Sequence, residues 1–295
     1  MPSRDSYRNI SEFSWDDILI HDKEADTLSP VLRPPSCSYA PGTSGYCRYY
    51  ACTDVINHRR SLLELTRPPA TSAYYGQIFA DGYSTQQLID NNLGEINQLL
   101  SSVEQNGLTS DIHYRHRARK VDNNPLKDVK GCPIHRIDGW KIFPKNWIDP
   151  VTRYQETVKW ADLVASDILH FGPTLGTFAC TSDIYQLCQE FLYVPDTRMM
   201  LVHNSRVQSH ATMVVGFGSA TSVLTNKETL YFVIQNNWGA RVSAIGRLPI
   251  EHFAEMDILK EGMKNTILFT KHKLEVQGHP WKARMSSVGE VMDRH

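Results

Sequence analysis

The segment HATMVVGFGSATSVLTNKETLYFVIQNNWG, which spans residues 210 to 239, decides the fold class of this chain. Two runs within it, Ala211 to Gly218 and Leu230 to Ile234, are dense in β-branched and aromatic residues and are bounded by turn-forming residues. This pattern predicts two β-strands. His210 opens the first strand and Asn236 closes the second, so their side chains meet if the two strands are neighbours.

A histidine beside an asparagine indicates nucleophilic catalysis. The amide carbonyl accepts a proton from one ring nitrogen, and the other ring nitrogen is then turned toward a nucleophile. Each residue taken alone is more often a core histidine with satisfied hydrogen bonds or an asparagine in a turn. The catalytic interpretation therefore needs a nucleophile elsewhere in the chain.

Cys47 is the candidate nucleophile, because a helix is predicted to begin beside it. Tyr50 and Val55 fall near one face of that helix, and Gly42 and Gly45 precede the cysteine. The amino end of a helix dipole favours a thiolate, and glycines permit the tight backbone approach that an oxyanion site requires. Taken alone, a cysteine at a helix start is more often a small buried hydrophobe.

Two further helical regions are predicted before the strands. One opens at Ser84, with Gln87 three residues later in a capping-box arrangement, and closes at Asn106 and Gly107. The other covers Val158 to Ile168. The first 45 residues are rich in Pro, Ser and Asp and predict extended chain and loop.

The segments around the three candidate residues resemble those of the papain-like cysteine peptidases. GTSGYCRYYA at 42–51 looks like the segment around the family's nucleophile, and HATMVVGFG and QNNWG look like its histidine and asparagine segments. Weaker likenesses follow in the family's order and extend the resemblance over roughly residues 28 to 253: SPV at 29–31, STQQLIDN at 84–91, RIDGWKIFP at 136–144 and FGPTLGTF at 171–178.

The resemblance implies an α+β, papain-like fold. In this fold a helical left domain and an antiparallel β-barrel-like right domain enclose the active-site cleft. The helical domain, which carries the nucleophile, would cover residues 28–140, and the β-rich domain, which carries the histidine and asparagine, would cover 141–270. An N-terminal extension at 1–27 and a C-terminal tail at 271–295 would flank them.

The resemblance also implies a cysteine-type endopeptidase that acts on peptide or protein substrates. Cys47 would be the nucleophile, His210 the general acid and base, and Asn236 the group that orients the ring. Neither a cofactor nor a metal ion is implied, and a monomer is expected. The implied substrate-binding residues are Gly94, Glu95, Ser209 and Trp238.

Several positions depart from the family's pattern. Pro41 stands where the family has its oxyanion glutamine, Arg48 where it has an aromatic residue, and Ser44 and Asn91 where it has two cysteines. Glu95 replaces a glycine of the substrate-binding segment, either as a group that favours basic substrate residues or as a solvated acid at a helix start. These changes leave open a second hypothesis, a catalytically inactive papain-like protein that binds peptides or proteins in its cleft.

The composition argues against nucleic acid and membrane partners. A formal net charge of −1, from 31 basic and 32 acidic residues, gives no basic field to hold a phosphate backbone or an anionic membrane. No run of about 18 apolar residues occurs, and the first residues, MPSRDSYRNISEF, lack the apolar stretch of a secretory signal. The chain as given is therefore expected either to be intracellular or to be a processed or truncated form, since the family is usually vacuolar, lysosomal or secreted. Six irregularly spaced cysteines leave the redox compartment open.

A zinc site is the third hypothesis. His113 and His116 form one pair with two intervening residues, and Cys132 and His135 form another, a spacing that zinc sites use. Positive charge that opposes metal binding crowds the first pair, so a solvated surface is expected instead: Arg115, Arg117, Arg119 and Lys120.

Overall fold

A computed structural model gives the structure of most of the predicted elements. It describes residues 4–17, 19–22, 27–30, 46–65, 82–115, 117, 129–144, 153–187, 190–203, 206–237 and 245–259. Several positions discussed above lie outside these residues, namely Pro41, Gly42, Ser44, Gly45, His116, Trp238 and the predicted C-terminal tail.

Four α-helices occur in the described residues: α1 (Cys47–Leu65), α2 (Thr85–Asn91), α3 (Ile96–Asn106) and α4 (Arg153–Phe171). The predicted helix start at Cys47 is confirmed. The Ser84 cap of α2 is confirmed as well, because the Ser84 hydroxyl accepts a hydrogen bond from the Gln87 backbone N–H at 3.1 Å. Within the described residues, no helix has the length and apolar character to cross a bilayer.

The prediction of one continuous helical region from Ser84 to Asn106 is wrong. Asn92 adopts a left-handed conformation with φ of 53°, and its N–H donates to the carbonyls at the end of α2. Asparagine tolerates this conformation better than most residues with a side chain. The chain therefore leaves α2 and starts again at α3, and Gly94 and Glu95 lie in the connection.

Within the part of the chain that the structure describes, seven antiparallel strands form the main sheet. They are β1 (Tyr7–Ser14), β4 (Trp140–Pro144), β5 (Thr174–Ala179), β8 (Ser209–Ser222), β9 (Glu228–Gln235), β10 (Ile245–Pro249) and β11 (Phe253–Leu259). Their order is β10-β9-β8-β5-β11-β4, and β1 also pairs with β8. Two small antiparallel sheets pair β2 (Leu19–Asp22) with β3 (Thr27–Pro30) and β6 (Val202–His203) with β7 (Arg206–Val207). The two strands predicted from residues 210–239 are neighbours, and the α+β class is confirmed.

The strand β8 is long enough to pair with two strands along one edge. Residues 209–214 pair with β5, and residues 216–222 pair with β1. A Cβ at Gly216 would lie 2.1 Å from the carbonyl oxygen of Phe13, so only glycine lets β1 approach this closely. Residues 7–14, for which the sequence predicts extended chain and loop, are thus a strand of the main sheet.

The helices α1 and α4 pack against β8 and bury an ion pair between them. The Arg59 guanidinium of α1 lies 2.5 Å from the Asp167 carboxylate of α4, and its Nε donates to the Pro173 carbonyl at 2.6 Å. Both charged residues are buried, and removing one partner of such a pair costs about 3–5 kcal/mol. The later turns of α1 are therefore fixed against α4 and the start of β5.

Candidate active site

His210 and Asn236 lie together at one end of the β8–β9 pair. His210 is the second residue of β8, and Asn236 directly follows β9. The His210 Nε2 atom lies 3.0 Å from the Asn236 Oδ1 atom, and both residues are buried, at 3% and 2% exposure. A buried hydrogen bond of this length holds the imidazole in one orientation.

The backbone N–H of Asn237 fixes which way the Asn236 amide points. This N–H donates to Asn236 Oδ1 at 2.9 Å, and a backbone N–H can only donate, so the oxygen must face both Asn237 and the ring. His210 Nε2 is therefore the protonated, donating nitrogen. The Nδ1 atom, on the other side of the ring, therefore faces a different neighbour.

That neighbour is the Cys47 thiol, which is hydrogen-bonded to His210. Burial raises the pKa of the Cys47 thiol and is the largest single effect. The hydrogen bond and charge of His210 oppose it, together with a hydrogen bond from the Ala211 backbone N–H and the charge of Arg48. The net result is a pKa lowered to about 7, so about half of the thiol is ionised at pH 7.

A second thiol, that of Cys180, lies near Cys47, but its pKa is shifted in the opposite direction. Cys180 follows β5 directly and is half-buried. Burial raises the pKa of the Cys180 thiol to about 12, and the negative charge on Cys47 adds to this effect. Cys180 therefore stays protonated at neutral pH and does not compete with Cys47 as a nucleophile.

The Arg48 guanidinium contacts the next residue of the chain, Tyr49. The guanidinium lies 4.9 Å from the centre of the Tyr49 ring, and its Nη2 donates to the Tyr49 hydroxyl at 3.1 Å. The Tyr49 hydroxyl donates in turn to the Leu93 carbonyl at 3.1 Å. This chain of contacts joins the first turn of α1 to the segment that contains Gly94 and Glu95.

The four predicted substrate-binding residues have different surroundings. Gly94 and Glu95 are both exposed, and Glu95 occupies the N-cap position of α3, where its backbone N–H donates to the Gln98 side chain at 3.4 Å. Ser209 is exposed and directly precedes His210. Trp238 lies outside the described residues. A role for these residues in substrate binding stays a prediction.

Comparison with solved structures identifies the fold. A cysteine protease of Carica candamarcensis matches with a TM-score of 0.50 at 14% identity, over 85% of this chain and 98% of its own. A digestive procathepsin L 3 of Tenebrio molitor larval midgut matches with a TM-score of 0.51 at 16% identity, over 88% of this chain and 73% of its own. A structure concerning the mite allergens Blo t 1 and Der p 1 matches with a TM-score of 0.51 at 15% identity, over 88% and 74%. The fold is papain-like.

The comparisons support the papain-like fold and go no further by themselves. No family model matches the chain, and no curated protein matches it. Identities this low carry the fold alone, so the chemistry of the site is argued from its own residues.

One residue at the centre of this site is not among those that the sequence predicts. The Asn237 side-chain Nδ2 donates to the Cys47 backbone carbonyl at 2.9 Å, across 190 positions of sequence. The QNNWG motif draws attention to its first asparagine, and nothing in the local pattern distinguishes the second. The contact between the Ala211 backbone N–H and the Cys47 sulfur cannot be predicted from the sequence either, because a backbone N–H is common to nearly all residue types.

Three residues of the zinc hypothesis, His113, Cys132 and His135, lie within the described residues. His113 is exposed, Cys132 is half-buried, and the His135 ring stacks on Tyr83 with centroids 4.9 Å apart. His116 is outside the described residues. Among the side chains that the structure describes, no group of three or more His, Cys, Asp and Glu residues is arranged to hold a metal ion.

Proposed function

We propose that this chain is a divergent papain-like cysteine peptidase that hydrolyses peptide bonds as an endopeptidase. The observation that carries the proposal is the Cys47 thiol, hydrogen-bonded to His210 and with its pKa lowered to about 7. The 3.0 Å contact from His210 to Asn236 supports it, because it gives the imidazole a fixed orientation. The fold supports it as well, since cysteine proteases share it.

The three residues suit acyl transfer. The Cys47 thiolate attacks the carbonyl carbon of a peptide bond, and the protonated His210 gives the proton on Nδ1 to the leaving amine, so that a thioester remains on Cys47. His210 then takes a proton from water as the water oxygen attacks the thioester. The acid product leaves, and the thiolate and imidazolium are restored. Asn236 holds the ring through both steps.

The oxyanion formed in each step needs hydrogen-bond donors. The Cys47 backbone N–H is the first of α1 and has no acceptor within the helix, so it is one donor. Pro41 stands where the family has a glutamine side chain, and proline carries neither a side-chain nor a backbone N–H. Loss of one oxyanion donor slows turnover by about 10²- to 10³-fold, so we expect slow hydrolysis.

The second candidate function is a catalytically inactive papain-like protein that binds peptides or proteins in the cleft. Pro41 favours it, because a site without its second oxyanion donor can hold a peptide more easily than it can cleave one. Glu95 favours it too, since an exposed carboxylate stands where the family has a glycine against the substrate backbone.

Chemical labelling tests the proposed nucleophile. The protein is treated at pH 7 with limiting iodoacetamide or an epoxide probe, and the extent of alkylation at each of the six cysteines is read by peptide mass spectrometry. Cys47 should react well before the others, and the His210→Ala variant should lose this preference. Equal labelling at all six cysteines would contradict the proposal that the protein is an enzyme.

Peptide cleavage separates the two candidate functions. An unfolded protein substrate is incubated with the wild type and with Cys47→Ala, which keeps the fold and removes the nucleophile. An endopeptidase gives slow internal cleavage that disappears in the variant. Binding of the substrate to both proteins, with no cleavage by the wild type over several days, would favour the inactive binding protein.

A further inference from the structure

The candidate site is assembled from two separate parts of the fold. Cys47 is the first residue of α1, whereas His210 and Asn236 belong to β8 and to the end of β9. Asn237 contacts both parts. Its backbone N–H donates to Asn236 Oδ1, and its side-chain Nδ2 donates to the Cys47 carbonyl, each at 2.9 Å.

The amide of Asn237 can take only one orientation in this contact. A backbone carbonyl accepts hydrogen bonds and never donates them, so the NH₂ group of Asn237 must face Cys47. Asn237 is 2% exposed, and its Oδ1 has no hydrogen-bond partner among the residues that the structure describes. The donation from Nδ2 to the Cys47 carbonyl is therefore the side-chain hydrogen bond that the described residues give this amide.

The first turn of α1 needs such a support. The ion pair of Arg59 with Asp167 fixes the helix at a point about 18 Å from Cys47, because an α-helix rises about 1.5 Å per residue. At the first turn the Tyr49 hydroxyl ties the helix to Leu93, on the side of α2 and α3. Asn237 ties the same turn to the end of β9, where the imidazole is held.

We propose that Asn237 is a positioning residue that keeps the Cys47 sulfur within hydrogen-bonding reach of His210. The inference rests on the proposed thiol chemistry and deepens it. Hydrogen bonds weaken steeply with distance, whereas the burial that raises the pKa of the Cys47 thiol does not depend on small shifts. Loosening the first turn of α1 therefore weakens the contacts with His210 and Ala211 that lower the pKa of the Cys47 thiol, and leaves the raising effect of burial in place.

The test is the pH dependence of Cys47 alkylation in Asn237 variants. The second-order rate constant with iodoacetamide is measured from pH 5 to pH 9 for the wild type, Asn237→Ala, Asn237→Ser and Asn237→Leu. Asn237→Leu keeps about the size of the side chain and adds no charge, but it has no N–H to donate to the Cys47 carbonyl, so it separates hydrogen-bond donation from packing. A thermal melt of each variant is recorded alongside.

The wild-type profile should have its midpoint near 7. The Ala and Leu variants should move that midpoint toward the ordinary thiol value of about 8.5, which makes alkylation at pH 7 about tenfold slower. Asn237→Ser should fall between, because its hydroxyl is shorter by one atom. Peptide cleavage, where measurable, should lose kcat with little change in KM, since the substrate contacts are untouched.

Thr109→Val is the matched control. It removes a buried side-chain-to-carbonyl hydrogen bond, 3.0 Å long to Pro133, outside the site described above. It should lower the melting temperature and leave the midpoint of Cys47 alkylation unchanged. A general loss of stability is thereby separated from a loss of positioning.

Two results overturn the inference, and they differ from each other. If the Asn237 variants melt earlier but keep the wild-type midpoint and rate, Asn237 only supports the fold, and the proposed thiol chemistry still stands. If wild-type Cys47 itself reacts no faster than the other cysteines, the proposed function fails and this inference fails with it. Should Asn237→Ala not fold, the Ser and Leu variants decide between these outcomes.

Discussion

The first turn of α1 and the end of β5 each carry a cysteine, and the two thiols differ in pKa by several units. Burial raises the pKa of both. At Cys47 the contacts of His210, Ala211 and Arg48 outweigh burial and lower the pKa to about 7. At Cys180, burial and the negative charge of Cys47 both raise the pKa of the thiol, which reaches about 12. The difference between these two thiols therefore comes from the neighbours of Cys47, which outweigh burial there, whereas burial is the main cause of the raised pKa at Cys180.

Replacing His210 with alanine should have the largest effect on this difference. The variant loses the hydrogen bond and the charge that lower the pKa of the Cys47 thiol, while burial still raises it. We expect the pKa to rise above about 8.5 and alkylation of Cys47 at pH 7 to slow about 100-fold. His113→Ala, at an exposed histidine, is the control. Unchanged reactivity of Cys47 in His210→Ala would show that the imidazole does not activate the thiol.

Replacing Asn236 with alanine should have an intermediate effect. The imidazole keeps its contact with sulfur but loses the 3.0 Å bond that fixes its orientation. The rates of alkylation at pH 7 and of peptide cleavage should both fall about tenfold, because the ring is then correctly oriented only part of the time. Asn106→Ala, at the exposed end of α3, serves as the matched asparagine control. A wild-type rate in Asn236→Ala would leave Asn236 without a role in orienting the ring.

Replacing Arg48 with glutamine should change the Cys47 thiol by a smaller amount. Arg48 acts through charge alone and is partly exposed, so solvent screens it. We expect a two- to threefold slower alkylation at pH 7 and low ionic strength, which becomes smaller as salt is added. Arg60→Gln is the control, since Arg60 also stacks on a tyrosine but lies more than three turns further along α1. An equal loss in both variants would contradict a specific effect of Arg48.

The smallest change is expected at Cys180 when Cys47 is replaced with alanine. Loss of the Cys47 charge lowers the pKa of the Cys180 thiol, but burial, the larger cause of its rise, stays. Cys180 should therefore remain unlabelled by iodoacetamide at pH 7 in Cys47→Ala. Rapid labelling of Cys180 in this variant would show that its protonation depends on Cys47 and not on burial.

The sequence predicted the elements that carry the site because their patterns are local. The β-branched runs of β8 and β9, the helix start at Cys47 and the Ser84 cap are each contained within a few residues. The break at Asn92 was missed, since the apolar spacing runs on beyond it and a single left-handed residue leaves no periodic signal. The predicted domain boundaries and substrate-binding residues stay predictions.

The sequence by itself determined which residue types are available and which elements carry them: a cysteine at a helix start, a histidine at a strand start and an asparagine at a strand end. Only the tertiary structure decided that β1 joins β8, that Asn237 contacts Cys47, and that one thiol ionises near pH 7 while its neighbour stays protonated. The physical reason is range. Strand and helix patterns repeat within one element, whereas the pKa of a thiol is set by burial and by charges that come from distant parts of the chain.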